Sequence, residues 1–152
     1  MTTRVGLISD THGLLRPEAT AFLRGCDHII HAGDIGSARI LAELATIAPL
    51  SAVRGNNDAG AWADTLAASE RLRFGDVCIH VLHDIAALES AAVAAPTRVV
   101  VHGHSHRSRI AEKDGVLYVN PGSAGRCRFS LPISIGELLI DGDRVTARLT
   151  EL

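Results

Sequence analysis

The opening third of the chain repeats one pattern: a short apolar run, an abrupt polar stop, then a helical stretch. "RVGLIS" (4–9) stops at Asp10, "DHIIHAG" (27–33) at Asp34 and "LSAVRG" (50–55) at Asn56. Between them lie "PEATAFLRG" (17–25) and "SARILAELATIA" (37–48). The first has Pro in its opening turn and Gly at its end, the boundary signals of a helix. The second is amphipathic, with Ser37 placed as N-cap. Strands alternating with helices predict a parallel sheet with crossover helices. In such sheets ligands gather at the carboxyl ends of the strands, where these polar stops fall.

The rest of the chain changes character. "RLRFGDVCIHVLH" (71–83) reads as two strands joined at Gly75-Asp76, "ALESAAVAA" (87–95) as an Ala-rich helix and "TRVVVHG" (97–103) as a buried strand. "SRIAEKDGVLYVNPG" and "ISIGELLIDGDRVTARLTEL" each carry an Asp-Gly turn between alternating segments and read as hairpins. There is no tandem repeat, linker or charge run. At 152 residues the expectation is one α/β domain over 1–152, parallel in its first half and hairpin-rich in its second.

Charge and composition narrow the function. The formal net charge of −2 implies no polyanion-binding surface, and aromatics at 3% leave little for stacking bases, so nucleic acid is not expected as a stable partner. No stretch reaches the length of a membrane span, and the apolar run in the first residues, "MTTRVGLISD", is too short for a signal peptide. Cys26, Cys78 and Cys127 are odd in number and form no C-x-x-C pair. They are expected to be reduced thiols in a cytoplasmic protein, packed as small apolar residues.

Each expected strand end delivers side chains that can bind a metal. They are Asp10 and His12, then Asp34, then Asn56, Asn57 and Asp58, then His83, then His104 and His106 in "HGHSH". Taken singly, each has a plain structural explanation as a cap, a turn or a hydrogen-bonded histidine. Five ends carrying such groups to one sheet edge are not explained by turn propensity. Alternation along a strand would also point His104 and His106 the same way and His102 the other. Carboxylate, imidazole and amide donors without thiolate suit Mn²⁺, Fe or Zn²⁺ better than Ca²⁺ or Cu(I). The donors are too many for one ion, which points to a two-metal centre of the kind that acts on phosphorus.

The order Asp10-Thr11-His12, Gly33-Asp34, Gly55-Asn56-Asn57-Asp58, His83, Gly103-His104-Ser105-His106 resembles the calcineurin-like metallophosphoesterase superfamily. The short chain and the "NPGS" at 120–123 are similar to its small bacterial and archaeal phosphodiesterase branch. The resemblance runs from about residue 4 to 140. It implies a four-layer α-β-β-α sandwich of two mixed sheets. It also implies two divalent metal ions, with Mn²⁺ the first choice and Fe, Zn or Ni also accepted by these donors. Asp10, His12 and His106 would hold one ion, Asn56, His83 and His104 the other, and Asp34 would bridge them. A water or hydroxide between the ions would attack the ester of a small-molecule substrate.

One position departs from the pattern. Many relatives place His after the Gly-Asn pair, where it assists the leaving oxygen, and here Asn57 stands there. General acid help is typically worth 10²–10⁴-fold, so either good leaving groups should be preferred or another acid recruited. Asp34, Asn56 and Asn57 are thus the expected catalytic set. Asn120, Ser123 and Arg126 are candidates for contact with the phosphoester, and Arg126 with Arg128 for a second phosphate. His31 reads as a hydrogen-bonded strand histidine and His102 as structural. Trp62 fits a core, a lid or a dimer face, and a homo-oligomer stays open. The alternative function is a non-catalytic interaction scaffold, a use to which a eukaryotic member of the same family puts this fold.

Overall fold

The structure, a computed structural model, describes residues 1–88, 96–128 and 130–152. Two five-stranded mixed sheets pack face to face. The first has the order β10-β9-β1-β2-β3, built from β1 (Thr3–Ile8), β2 (His28–His31), β3 (Leu50–Ala52), β9 (Ser134–Asp141) and β10 (Arg144–Glu151). The second has the order β4-β5-β6-β8-β7, built from β4 (Ser69–Phe74), β5 (Val77–Leu82), β6 (Thr97–Val101), β7 (Arg109–Lys113) and β8 (Val116–Asn120). This is the sandwich expected from the sequence. The strands β1, β2 and β3 run parallel, as expected, but the second sheet has a parallel centre of its own in β5, β6 and β8.

The three hairpins form, and their turns differ in detail. Asp114 and Gly115 both take positive φ between Lys113 and Val116, as a type I′ turn needs. In the last hairpin Asp141 pairs with Arg144, so the turn is Gly142-Asp143 and not the expected Asp-Gly. Gly75-Asp76 has the same arrangement, with Gly at positive φ in the first central place. The final hairpin does not stay with the second half of the chain: β9 returns to pair with β1, Gly6 opposite Glu137.

Strand alternation divides the core. Val5 and Leu7 of β1, with Leu138 of β9, face the second sheet, where they meet Ile79, Val81, Val99 and Val101. Ile8 faces the other way, onto Ala19 and Leu23 of α1 (Pro17–Leu23) and Ile40 and Leu44 of α2 (Ala38–Ala45). Pro17 begins α1, and the Ser37 hydroxyl accepts from Arg39 N–H at 3.1 Å to cap α2, as the sequence predicts. Each buried Leu or Ile contributes about 1.5–3 kcal/mol of burial free energy, so this double-faced sheet anchors everything built on its edge. Trp62, in the short α3 (Ala61–Asp64), packs against the helix-side cluster. On the outer face of the second sheet Leu82, Val100 and Val116 meet Ile85, Leu88 and Tyr118. Of the helix expected at 87–95, Ala87 ends a short 3-10 turn (Ile85–Ala87) and Leu88 is extended, while residues 89–95 lie outside the described residues. Among the described residues no helix is long and apolar enough to cross a membrane.

Candidate metal centre

The loops that follow β1, β2, β3, β5 and β6 converge at one edge of the sandwich. There the described residues form two groups whose ligand atoms lie within 4.8 Å of one another: Asp10, His12 and His106, and Asp34, His83 and His104. Asp10 is central. Its Oδ1 is 3.7 Å from His12 Nε2, 3.5 Å from His106 Nε2 and 3.9 Å from His83 Nε2. Asp34 Oδ2 is 3.6 Å from His12 Nε2 and 3.2 Å from His83 Nε2. Asn56 joins through its Oδ1, 3.1 Å from His104 Nδ1.

The backbone pays to offer these groups. Six described non-glycine residues have positive φ, and five of them are Asp10, His12, Asp34, His104 and His106. That conformation costs an L residue roughly 1–2 kcal/mol, less for Asp, Asn and His, and concentrates at functional sites. It also corrects the expectation for the histidines. Since β6 ends at Val101, His104 and His106 lie in the loop beyond it and reach the site through left-handed turns, not strand alternation. Two glycines make room. A Cβ on Gly55 would run into the backbone and carboxylate of Asp34, and one on Gly33 (φ 102°) would sit 2.7 Å from His83 Nδ1.

The fit to cations rests on atoms left without partners. Asp10 Oδ1 and His83 Nε2 are buried with no hydrogen bond. The other oxygen of Asp10 is satisfied, accepting from Ser9 Oγ at 2.7 Å and His104 N–H at 3.1 Å, so Oδ1 is held out toward the cluster. His83 donates Nδ1–H to Ala32 O at 2.8 Å, which turns a bare Nε2 toward the carboxylates. Lone pairs at such range need a proton or a cation between them. The donor set of carboxylate, imidazole and amide fits divalent transition metals.

Electrostatics agree. Burial opposes the charge on Asp10, but the neighbouring His12, the Ser9 hydroxyl and the nearby His83 and His106 outweigh it and hold the carboxyl below its usual value. Burial likewise opposes Asp34, and His83 with the backbone and side chain of Asn57 holds it well below the carboxylate range. The neighbouring Asp10 carboxylate raises His12, whereas burial lowers His106. For His83 burial is the largest single effect and pulls down, but Asp34, Asp10 and the Ala32 carbonyl together pull up more, a net rise. Both carboxylates are therefore anionic at neutral pH.

Asn57 grips Asp34 with both its donors: the backbone N–H reaches Oδ1 at 2.8 Å and Nδ2 reaches Oδ2 at 2.9 Å. Asp58, grouped with the ligand-type residues in sequence, turns away and accepts from Gly55 N–H at 2.9 Å and Gly36 N–H at 3.0 Å. Asn120 and Ser123 are buried, and their polar atoms are engaged within the chain. Asn120 donates to Gly103 O and Ser105 Oγ, both at 3.1 Å, and accepts from Gly122 N–H at 2.9 Å. Ser123 Oγ lies 3.1 Å from Asp10 O and 3.2 Å from Arg126 O. Arg126 is exposed and lines a cavity of about 420 Å³ with His12, Asn57, His106, Cys127 and Arg128. A second cavity of about 370 Å³ opens past Asn56 and His83, toward Arg54, Leu82, Asp84 and Leu88.

Three supporting residues escaped the sequence reading or were underrated by it. Thr11, between two ligand candidates, donates to Ile35 O at 2.8 Å and so accepts from His31 Nε2 at 3.0 Å. His31 in turn accepts from Gly33 N–H at 3.1 Å, tying the loops after β1 and β2 together. Asp84, directly after His83, places Oδ2 3.9 Å from His104 Nε2. Their adjacency to the ligand motifs was the available signal. His102 does not join the cluster and lines a separate cavity with Arg109 and Tyr118.

Comparison with known proteins agrees with this geometry. Residues 3–143 match the calcineurin-like phosphoesterase superfamily domain. A Methanothermobacter thermautotrophicus protein named "Probable metallophosphoesterase" is 35% identical, covering 95% of this chain and 90% of its own. Vacuolar Protein Sorting 29 from Cryptosporidium parvum shares the fold with a TM-score of 0.86 at 21% identity, covering 99% and 92% of the two chains. A structure described as a novel archaeal phosphodiesterase does so at 0.80 and 24%, covering 99% and 100%. The chain belongs to the calcineurin-like phosphoesterase superfamily.

Proposed function

We propose that the protein is a phosphodiesterase working with two divalent cations, Mn²⁺ the first to test. The observation that carries this reading is the pair of buried, partnerless atoms, Asp10 Oδ1 and His83 Nε2, set among imidazoles and a second carboxylate. Asp10, His12 and His106 would hold one ion, Asn56, His83 and His104 the other, and Asp34 both. The matched archaeal phosphodiesterase fold and the related metallophosphoesterase support the class of reaction. Once bound, the cations supply a water of lowered pKa and charge for the phosphoryl oxygens.

The chain's own residues set the rest. Asn57 fixes Asp34 in place, and a neutral amide gives no proton to a leaving group. Esters whose leaving groups depart as stable anions are therefore favoured, because 10²–10⁴-fold of acid assistance is missing. Asn120 and Ser123 act by fixing loops, and Arg126 is the member of that trio open to substrate.

The test is a panel of aryl phosphodiesters, phosphomonoesters, pyrophosphate and cyclic nucleotides, assayed after metal removal and reconstitution. Turnover of the diester by Mn²⁺-loaded protein, abolished by Asp34→Asn, is expected. Metal-loaded, folded protein that turns over no phosphoester would leave the scaffold as the reading.

A further inference from the structure

Building on the phosphodiesterase reading, we infer that the substrate carries a second phosphate beside the scissile one, seated by Arg126 and Arg128 in the cavity that adjoins His12 and His106. The loop presenting Arg126 is laced onto the segment that presents Asp10 and His12. Ala124 N–H donates to Ser9 O at 3.0 Å and Ser123 Oγ to Asp10 O at 3.1 Å. Arg16 Nε donates to Gly125 O at 2.7 Å, and Arg126 Nε approaches His12 O at 3.4 Å. Three of those links fix the loop that carries Arg126, and the fourth turns its guanidinium toward the candidate ligands.

Charge points the same way. Among the described residues the cavity is lined by His12, Asn57, His106, Arg126, Cys127 and Arg128, without a carboxylate. Arg128 lines the same cavity as His12 and His106. Two dications held by only two carboxylates would already leave positive charge uncompensated, and two guanidinium groups beside them add to it. A simple diester brings a single negative charge. A diester with an added phosphomonoester brings up to two more, and paired guanidinium groups match phosphate oxygens in geometry. The cavity past Asn56 and His83 sets the one cation Arg54 against the carboxylate of Asp84, so it carries less net positive charge and is the poorer place for an anion.

The test compares two substrates that differ in one group: the p-nitrophenyl ester of thymidine 5′-phosphate and its 3′-phosphorylated form. Both are given to Mn²⁺-loaded wild type and to the Arg126→Ala, Arg128→Ala double variant. Charge-assisted contacts of this kind predict a KM roughly 10–100-fold lower for the phosphorylated ester in the wild type. That advantage, read as the ratio of the two KM values, should fall to about one in the double variant, while KM for the parent ester rises because Arg126 also faces the scissile ester. Binding is read separately, as the rise in Tm given by thymidine 3′,5′-bisphosphate over that given by thymidine 5′-monophosphate. Equal KM values in a wild type that hydrolyses both esters would overturn the inference and leave the phosphodiesterase reading intact. If neither ester is hydrolysed that reading fails, and the Tm comparison decides: a bisphosphate advantage lost in the double variant keeps the second-phosphate seat, and no advantage removes it.

Discussion

Replacing His31 with Gln isolates what one buried imidazole does to acid stability. His31 is fully buried, and the neutral ring uses both nitrogens, Nδ1 accepting from Gly33 and Nε2 donating to Thr11. Burial pushes its pKa from 6.5 down to about 3. In the unfolded chain the ring takes up a proton below pH 6.5, whereas the folded ring stays neutral until about pH 3. The unfolded state therefore binds more protons throughout that window, and stability falls as the pH falls. Each pH unit is worth about 1.4 kcal/mol, so roughly 2 kcal/mol is lost through His31 between pH 6.5 and 5, and about 5 kcal/mol in full. Gln keeps one acceptor and one donor but does not titrate, at a cost of about 1–2 kcal/mol at pH 7.5 from imperfect geometry. Urea unfolding of both proteins at a series of pH values, in excess chelator, measures the difference. The wild type should lose about 2 kcal/mol more than His31→Gln between pH 6.5 and 5. Parallel pH dependences would refute the reasoning, because every other titrating group is common to the two proteins.

Saturating Mn²⁺ should raise Tm by about 5–10 °C, since a ligand at 100 times its Kd adds about 2.7 kcal/mol, and Asp34→Asn should remove most of that rise in differential scanning fluorimetry. Asn57→Ala frees the carboxylate of Asp34 and should weaken Mn²⁺ binding about 10–100-fold by calorimetric titration, with the fold retained in circular dichroism. Asp58→Ala strands two backbone N–H groups and should cost about 2–4 kcal/mol in urea unfolding, a loss that added metal does not restore selectively. Gly55→Ala forces Asp34 aside, so the folded protein should show less than a tenth of the wild-type Tm response to Mn²⁺.

The strands were legible because their cues are local. "RVGLIS" and "TRVVVHG" are apolar runs with polar stops, and Gly75-Asp76 punctuates its hairpin without ambiguity. What joins what was harder. Nothing near Ser134 states that β9 will cross back to pair with β1, because that choice is made by the fit of Leu138 and Ile140 into a core shared with Val5 and Leu7. The donor residues were readable from their type and order. Their delivery was not: the left-handed turns at His104 and His106 follow from loop closure against Asp10 and Asn120, which no pattern of alternation encodes. The same limit applies to Asn57 and Asp58. Adjacent and alike in size, they part ways because one meets a carboxylate and the other meets two amides.

The left-handed turns under the donor side chains have a consequence for how this chain can change. Asn and Asp share a tolerance for that backbone shape, so exchanging the carboxylate of Asp10 or Asp34 for an amide keeps the loop path while deleting the charge that draws in a cation. A β-branched residue at the same places would have to rebuild the loop. The architecture is thus one nucleotide change away from silence as an enzyme and many changes away from collapse as a shape, which makes loss of catalysis the gentlest route by which a descendant of this chain turns into something else.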